Sequence, residues 1–195
     1  MRVLRIVAGA VLLGAAAVSS AQAQAAVSTH CVPQRPANLA SRPSPYDSVM
    51  VMVGSRHAML CYGRPSARNR VVFGELIPYG KLWRTGANEP TIIHVPFAAS
   101  IAGVKVEPGS YSIYTVPGQS EWEVIVNRAI AQWGHEGSYT DEIKAQEVGR
   151  GKAKSEAIGT PVEMFTIRTA AAGANATNLI LEWEKTRVHI PVQAR

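Results

Sequence analysis

Cysteine, aromatic residues and recognisable catalytic motifs are all scarce in this 195-residue chain. It has two cysteines and five histidines, and aromatic residues make up 7% of it. His135-Glu136 lacks the second histidine of a zinc-binding helix, and no G-x-S-x-G elbow marks a serine nucleophile. These absences exclude the standard zinc- and serine-hydrolase signatures, and we expect no cofactor.

Concentrated positive charge is also missing. The net charge is +6, but lysine and arginine are scattered except in the loop from Arg64 to Arg70. A nucleic-acid-binding domain would gather its charge on one helix or patch with interleaved aromatics, so we expect no nucleic-acid partner. Beyond the N-terminus no apolar run approaches the roughly 20 residues of a membrane helix, so we also expect no membrane span.

The N-terminus has the pattern of a secretory signal. Arg2 and Arg5 precede an apolar stretch from Ile6 to Val18, and Ala21-Gln22-Ala23 offers small residues for cleavage, with a second site after Ala25. We therefore predict a signal peptide over residues 1–25 and a periplasmic or secreted mature protein. Its removal leaves 18 of the 20 basic residues against 14 acidic ones, a net charge of about +4.

The two cysteines, Cys31 and Cys61, admit two interpretations. Export to an oxidising compartment favours a disulfide, which would tie an N-terminal arm to a strand. The alternative is a buried Cys61 and an unpaired Cys31. A lipid anchor is not expected, because Ser28-Thr29-His30 before Cys31 does not form the Leu-Ala-Gly type of box that a lipoprotein needs.

Proline and glycine divide the rest of the chain. Four prolines among small and polar residues in 26–45 have the composition of a linker, and residues 46–195 are predicted to form one domain. Two short apolar runs flank Gly54-Ser55-Arg56 and predict a hairpin. Three further strands are predicted at Ile101–Val106, Tyr111–Val116 and Trp122–Asn127, separated by the turns Pro108-Gly109 and Pro117-Gly118.

Short strands at regular spacing, without a long amphipathic helix, favour a mostly-β fold. We predict an antiparallel β-sandwich with at most one short helix, and a partly open β-barrel is the alternative. In the C-terminal part, strands are predicted at Val162–Arg168 and Leu179–Trp183, with Thr186–Val192 forming a hairpin with the latter.

Several motifs resemble those of exported bacterial proteins catalogued as domain of unknown function 2911. The motifs are Gly63-Arg64-Pro65, residues 73–80 (FGELIPYG), residues 82–89 (LWRTGANE), residues 108–111 (PGSY), Val116-Pro117-Gly118, Trp122, Asn127, Gln132-Trp133-Gly134 and residues 181–184 (LEWE). The resemblance covers the chain from about Pro43 to the C-terminus. It implies a localisation and a fold, and it leaves the reaction open.

The segment from Trp83 to Glu89 is the best candidate for a binding site. Arg84, Asn88 and Glu89 bring a cation, an amide and a carboxylate into one tight loop, and loops on a rigid β scaffold commonly carry binding groups. In the structural alternative, Gly86 takes a left-handed turn, Asn88 caps it, and Arg84 pairs with Glu89 or a buried carbonyl. A second candidate is the loop with Arg64, where guanidinium groups would hold an anionic sugar or phosphate.

A third candidate is a soft-metal site on the first hairpin. Met50, Met52, His57, Met59 and Cys61 carry the sulfur and imidazole groups that copper prefers. With a two-residue turn at Ser55-Arg56, Met52 would face Met59 and Met50 would face Cys61, whereas a three-residue loop would move the methionines to the opposite face. The alternative is ordinary core packing by methionine, and a disulfide at Cys61 would remove that ligand.

These observations leave three functions open. The first is a non-catalytic envelope domain that binds a small molecule, a glycan or an envelope protein through Arg84, Asn88 and Glu89. The second is a hydrolase of an envelope substrate, with Glu89 as general acid or base and His94 assisting. The third is a structural or stress-related periplasmic protein without a small ligand.

Overall fold

The first hairpin consists of β1 (Tyr46–Val53), where burial alternates toward the C-terminal end, and β2 (Arg56–Gly63), which is buried throughout from Leu60 onward. The computed structural model describes Val27 and residues 29–195, so the predicted signal peptide lies outside the described residues. Gly54 and Ser55 form the turn, and Gly54 has a φ of 64°, which favours glycine. Val51 and Val53 point into the core from this hairpin.

Seven further strands complete the domain. They are β3 (Thr91–Val95), β4 (Ala99–Ile101), β5 (Val104–Val106), β6 (Gly109–Val116), β7 (Glu121–Asn127), β8 (Glu147–Gly173) and β9 (Ala176–Ala194). The only α-helix among the described residues is α1 (Asp141–Lys144), and short 3-10 segments lie at Pro36–Ser41 and Glu136–Ser138.

The nine strands of the described residues join in one antiparallel sheet with the order β1-β2-β3-β6-β7-β8-β9-β4-β5. The sheet does not close. It bends over on itself, because β1 lies against β8 and β9, and β5 lies against β8, although these strands are not neighbours in the sheet order. The mostly-β, antiparallel prediction is confirmed, and the facing layers are the two halves of one sheet. No helix among the described residues is long and apolar enough to cross a membrane.

The C-terminal strands differ from the prediction. Leu179–Trp183 and Thr186–Val192 both belong to β9 and pair with the long β8, so the predicted hairpin between them is wrong. Glu184 has a φ of 52° at the interruption between the two runs, where the pairing register with β8 also shifts. The polar residues between Trp183 and Thr186 therefore interrupt the pairing of one continuous strand and do not form a turn between two strands.

Aromatic rings fill the space between the two halves of the sheet. Trp83 is 1% exposed and lies edge-on to Phe73, Trp122 and Phe165, with ring centroids 5.3–6.0 Å apart, and it stacks on Trp183 at 5.8 Å. The indole N–H of Trp83 donates to the Gly86 carbonyl, which satisfies its one polar atom. Trp122 and Trp183 are buried as well.

The Pro-rich N-terminal arm, residues 29–45, is fastened to the domain. Cys31 and Cys61 form a disulfide with a Cα–Cα distance of 5.7 Å. Gln34 adds two hydrogen bonds, from its backbone N–H to the Glu89 carboxylate and from its side-chain amide to the Ile130 carbonyl. The segment with linker composition thus lies against the domain.

Replacing Cys31 and Cys61 together by serine should lower the free energy of unfolding by about 3 kcal/mol, because the bond closes a loop of about 30 residues in the unfolded chain. Urea denaturation of the oxidised protein and of the double variant measures the difference. Cys31→Ser combined with Cys61→Ala, which leaves a smaller side chain at the buried position, should give a similar loss. A loss below about 0.5 kcal/mol in both variants would contradict the estimate.

Candidate functional site

The segment between β2 and β3 crosses the end of the sheet without forming a strand. The backbones of Trp83 and Thr115 exchange two hydrogen bonds of 2.8 and 2.9 Å, which pins the segment to β6. Thr85 follows with a φ of 57°, unusual for a β-branched residue, and its hydroxyl lies 3.0 Å from that of Thr115. The intervening residue, Arg84, is therefore held on a rigid backbone.

The Arg84 guanidinium group makes a long ion pair with Glu136. Its Nε is buried, and no hydrogen-bond acceptor among the described residues lies within reach. The Glu136 carboxylate is 3.8 Å away, too far for a good hydrogen bond. Buried charged donors are normally satisfied, so this group points to an acceptor from water or from a ligand.

A cleft of about 480 Å³ opens beside this guanidinium group. Its polar lining consists of Arg84, Lys81 and Glu136, two cations against one carboxylate. Its apolar lining consists of Leu76, Ile77, Pro78 and Leu82. Leu76 is 38% exposed, so part of the apolar wall faces solvent. The arrangement is a positively charged point on an apolar wall, which suits an anionic group joined to an apolar body.

Glu89 lies in a different environment and is not exposed at all. The Arg42 guanidinium, from the N-terminal arm, donates to both carboxylate oxygens at 3.1 and 2.9 Å. The Gln34 backbone N–H donates to the same carboxylate at 3.0 Å. The structural alternative pairs Arg84 with Glu89 or a buried carbonyl; the pairing with Glu89 is wrong, since the partner of Glu89 is Arg42.

Asn88 belongs to a third environment. It has a φ of 69°, and its side-chain amide donates to the Ser44 carbonyl. It lines a recess of about 230 Å³ together with Trp133, on whose ring Arg35 stacks at 4.1 Å. The structure thus separates the three predicted site residues. The left-handed turn expected at Gly86 is found at Thr85 and Asn88 instead.

Arg64 is committed to holding the fold. Its guanidinium group donates to the Phe165 carbonyl, the Thr166 hydroxyl and the Asp47 carboxylate at 3.0–3.2 Å. Arg70, in the same loop, donates to the carbonyls of Ser66 and Ala67. Two of the loop's arginines are therefore occupied by acceptors of the chain itself.

The register of the first hairpin differs from the one predicted for a turn at Ser55-Arg56. The turn lies at Gly54-Ser55, so Met50 faces Met59 and Met52 faces His57. Cys61 is in the disulfide and is not available to a metal. Among the described residues no group of three or more His, Cys, Asp or Glu side chains is placed to hold a metal ion.

His94 and Glu89 have separate partners. The Nδ1 atom of His94 lies 2.7 Å from the Ser110 hydroxyl. Burial lowers the pKa of His94, so the imidazole is neutral near pH 7. The hydrolase hypothesis needs an accessible Glu89 carboxylate, whereas Arg42 and Gln34 occupy its oxygens.

Sequence reasoning missed three parts of the cleft, namely Lys81, Glu136 and the apolar wall. Lys81 and the wall residues lie directly before the predicted loop, so the pattern of one lysine among Leu, Ile and Pro was an available signal. Glu136 is 52 positions from Arg84 in the chain. No spacing rule connects residues so far apart.

These features define a single-sheet antiparallel β domain with an open, cationic and partly apolar cleft at one end. The chain belongs to the family described as "Protein of unknown function (DUF2911)", whose model matches residues 44–192. It matches no curated protein and no solved structure. The matched region includes the whole lining of the cleft and excludes most of the N-terminal arm.

Proposed function

We propose that this protein is a non-catalytic binding domain of the bacterial envelope whose cleft at Arg84 takes a small ligand with an anionic group and an apolar body. The observation that carries the proposal is the Arg84 side chain, which is 23% exposed beside an apolar wall and whose ionic partner, Glu136, is 3.8 Å away. A carboxylate or phosphate oxygen in the cleft would accept a charge-assisted hydrogen bond from the exposed part of this guanidinium group.

The surroundings of Arg84 support binding in two further ways. Its backbone is pinned to β6 on one side and to β3 on the other, where the Thr91 N–H donates to the Arg84 carbonyl at 3.1 Å. A pre-ordered cation loses little conformational freedom when a ligand binds. The strained backbone of Thr85 is also a feature that tends to occur at functional sites.

Binding is favoured over hydrolysis because the Glu89 carboxylate, the general acid or base that hydrolysis would need, is already occupied by Arg42 and Gln34. Glu89 is enclosed by the arm, and Glu136 is the one carboxylate in the lining of the Arg84 cleft. Location in the envelope is supported by the signal-like N-terminus and by the disulfide, which persists in oxidising compartments.

Octanoate is a suitable first probe because it joins one carboxylate to an apolar chain. Isothermal titration calorimetry of the mature chain should detect saturable binding of octanoate and of octyl phosphate, and none of acetate, which lacks the apolar body. Octanol should bind at least tenfold more weakly than octanoate, because it has no negative charge to meet Arg84.

Arg84→Gln should weaken octanoate binding at least tenfold and leave the melting temperature nearly unchanged. Arg68→Gln is the matched control, since Arg68 is an exposed arginine in the loop that also holds Arg64. Equal binding by the wild type and Arg84→Gln would refute the proposal. So would a loss of binding in Arg68→Gln alone, which would place the anion in that loop.

A further inference from the structure

The outer face of the first three strands carries a cluster of soft donor groups. The register places Met50 opposite Met59, Met59 opposite His94, and His94 opposite Ser110, in one row across β1, β2, β3 and β6. Met52 and His57 form a second row beside it. Residues opposite one another in antiparallel strands have Cβ atoms about 5 Å apart, so side chains in a row can reach a common point.

Two of the three methionine side chains in these rows, Met50 and Met52, face solvent. Met50 and Met52 are 56% and 47% exposed, whereas their neighbours Val51 and Val53 are buried in the core. Core packing, the alternative interpretation of the methionines, therefore does not account for them. Three of the five methionines in the sequence lie on this one face.

The chemistry of the cluster favours one class of ion. Thioethers and imidazoles are soft or borderline ligands, and thioethers in particular select Cu(I) over zinc or calcium. Neither row contains Asp, Glu, Lys or Arg. A hard divalent cation, which prefers carboxylate oxygens, would therefore find no carboxylate ligand there. His94 also has a defined orientation, because its Nδ1 atom lies 2.7 Å from the Ser110 hydroxyl. No hydrogen bond to Nε2 is found among the described residues, so Nε2 is the atom that would bind the ion.

We propose that Met50, Met59 and His94, assisted by Met52 or His57, form a site for one Cu(I) ion. Met50 and Met52 are exposed, so an ion enters from the methionine end of the row, and His94, which is 6% exposed, forms its buried end. The site is separate from the Arg84 cleft and does not depend on the function proposed for it.

Competition with the chromophoric Cu(I) chelator bicinchoninate, under anaerobic conditions, tests the site in the mature chain. The wild type should withdraw one equivalent of Cu(I). Met50→Leu with Met59→Leu should bind at least tenfold more weakly. Met164→Leu should match the wild type, since Met164 is on β8, away from the cluster. No withdrawal of copper, or equal withdrawal by the Met50/Met59 variant, would overturn the proposal.

Methionine methyl NMR gives an independent readout. On addition of Cu(I), the methyl resonances of Met50 and Met59 should shift and that of Met164 should not. Thiol counting after the titration must show the Cys31–Cys61 bond still closed. Copper binding that appears only when thiols appear would assign the metal to the cysteines and overturn the methionine site.

Discussion

Arg42→Ala is expected to lower the free energy of unfolding by about 3–5 kcal/mol, because it leaves the Glu89 carboxylate buried without its cation. The side chains of this pair are 5% and 1% exposed, so water cannot replace the lost guanidinium without a structural change. The arm also loses the bond between Arg42 and the Arg35 carbonyl. Urea denaturation measures the loss.

A double-mutant cycle separates the pair from the rest of the arm. Arg42→Met with Glu89→Gln should be less destabilised than Arg42→Met alone, since no buried charge is then left unpaired. Arg128→Ala is the control, as Arg128 is exposed. A cost for Arg42→Ala as small as that for Arg128→Ala would mean that Glu89 is not enclosed by the arm in solution.

Trp83→Ala should cost a similar amount, about 3–5 kcal/mol, because it opens a cavity among four other rings. Trp133→Ala is the matched control. Trp133 is partly exposed and contacts Arg35 and Arg42 from outside the core, so its loss should cost about 1 kcal/mol. Near-equal losses for the two tryptophans would contradict the described core.

The fold was largely predictable because its signals are local. The short apolar runs of β1 and β2 and the two Pro-Gly turns act over a few residues, and strands lie where these signals predict them. Local signals do not decide how strands join. The run Ile101–Val106, predicted as one strand, is a hairpin of β4 and β5 about Ala102 and Gly103, both with positive φ. Alanine gives no warning of such a turn.

The candidate site was predictable only in part, because its partners are distant in the chain. Arg84 was identified from its loop, but whether it pairs with Glu89 depends on where the N-terminal arm lies. Arg42 reaches Glu89 across 47 positions, from a segment whose prolines are typical of a linker. The burial of Glu89 therefore follows from a long-range contact that composition alone does not indicate.

The most direct test of the account is a backbone-amide NMR titration of the mature chain with octanoate. We predict saturable shifts concentrated at residues 76–84 and at Glu136, with the amides around Trp133 and in the Arg64–Arg70 loop unaffected. Shifts confined to either of those regions, or none at millimolar octanoate, would contradict the assignment of the Arg84 cleft as the binding site.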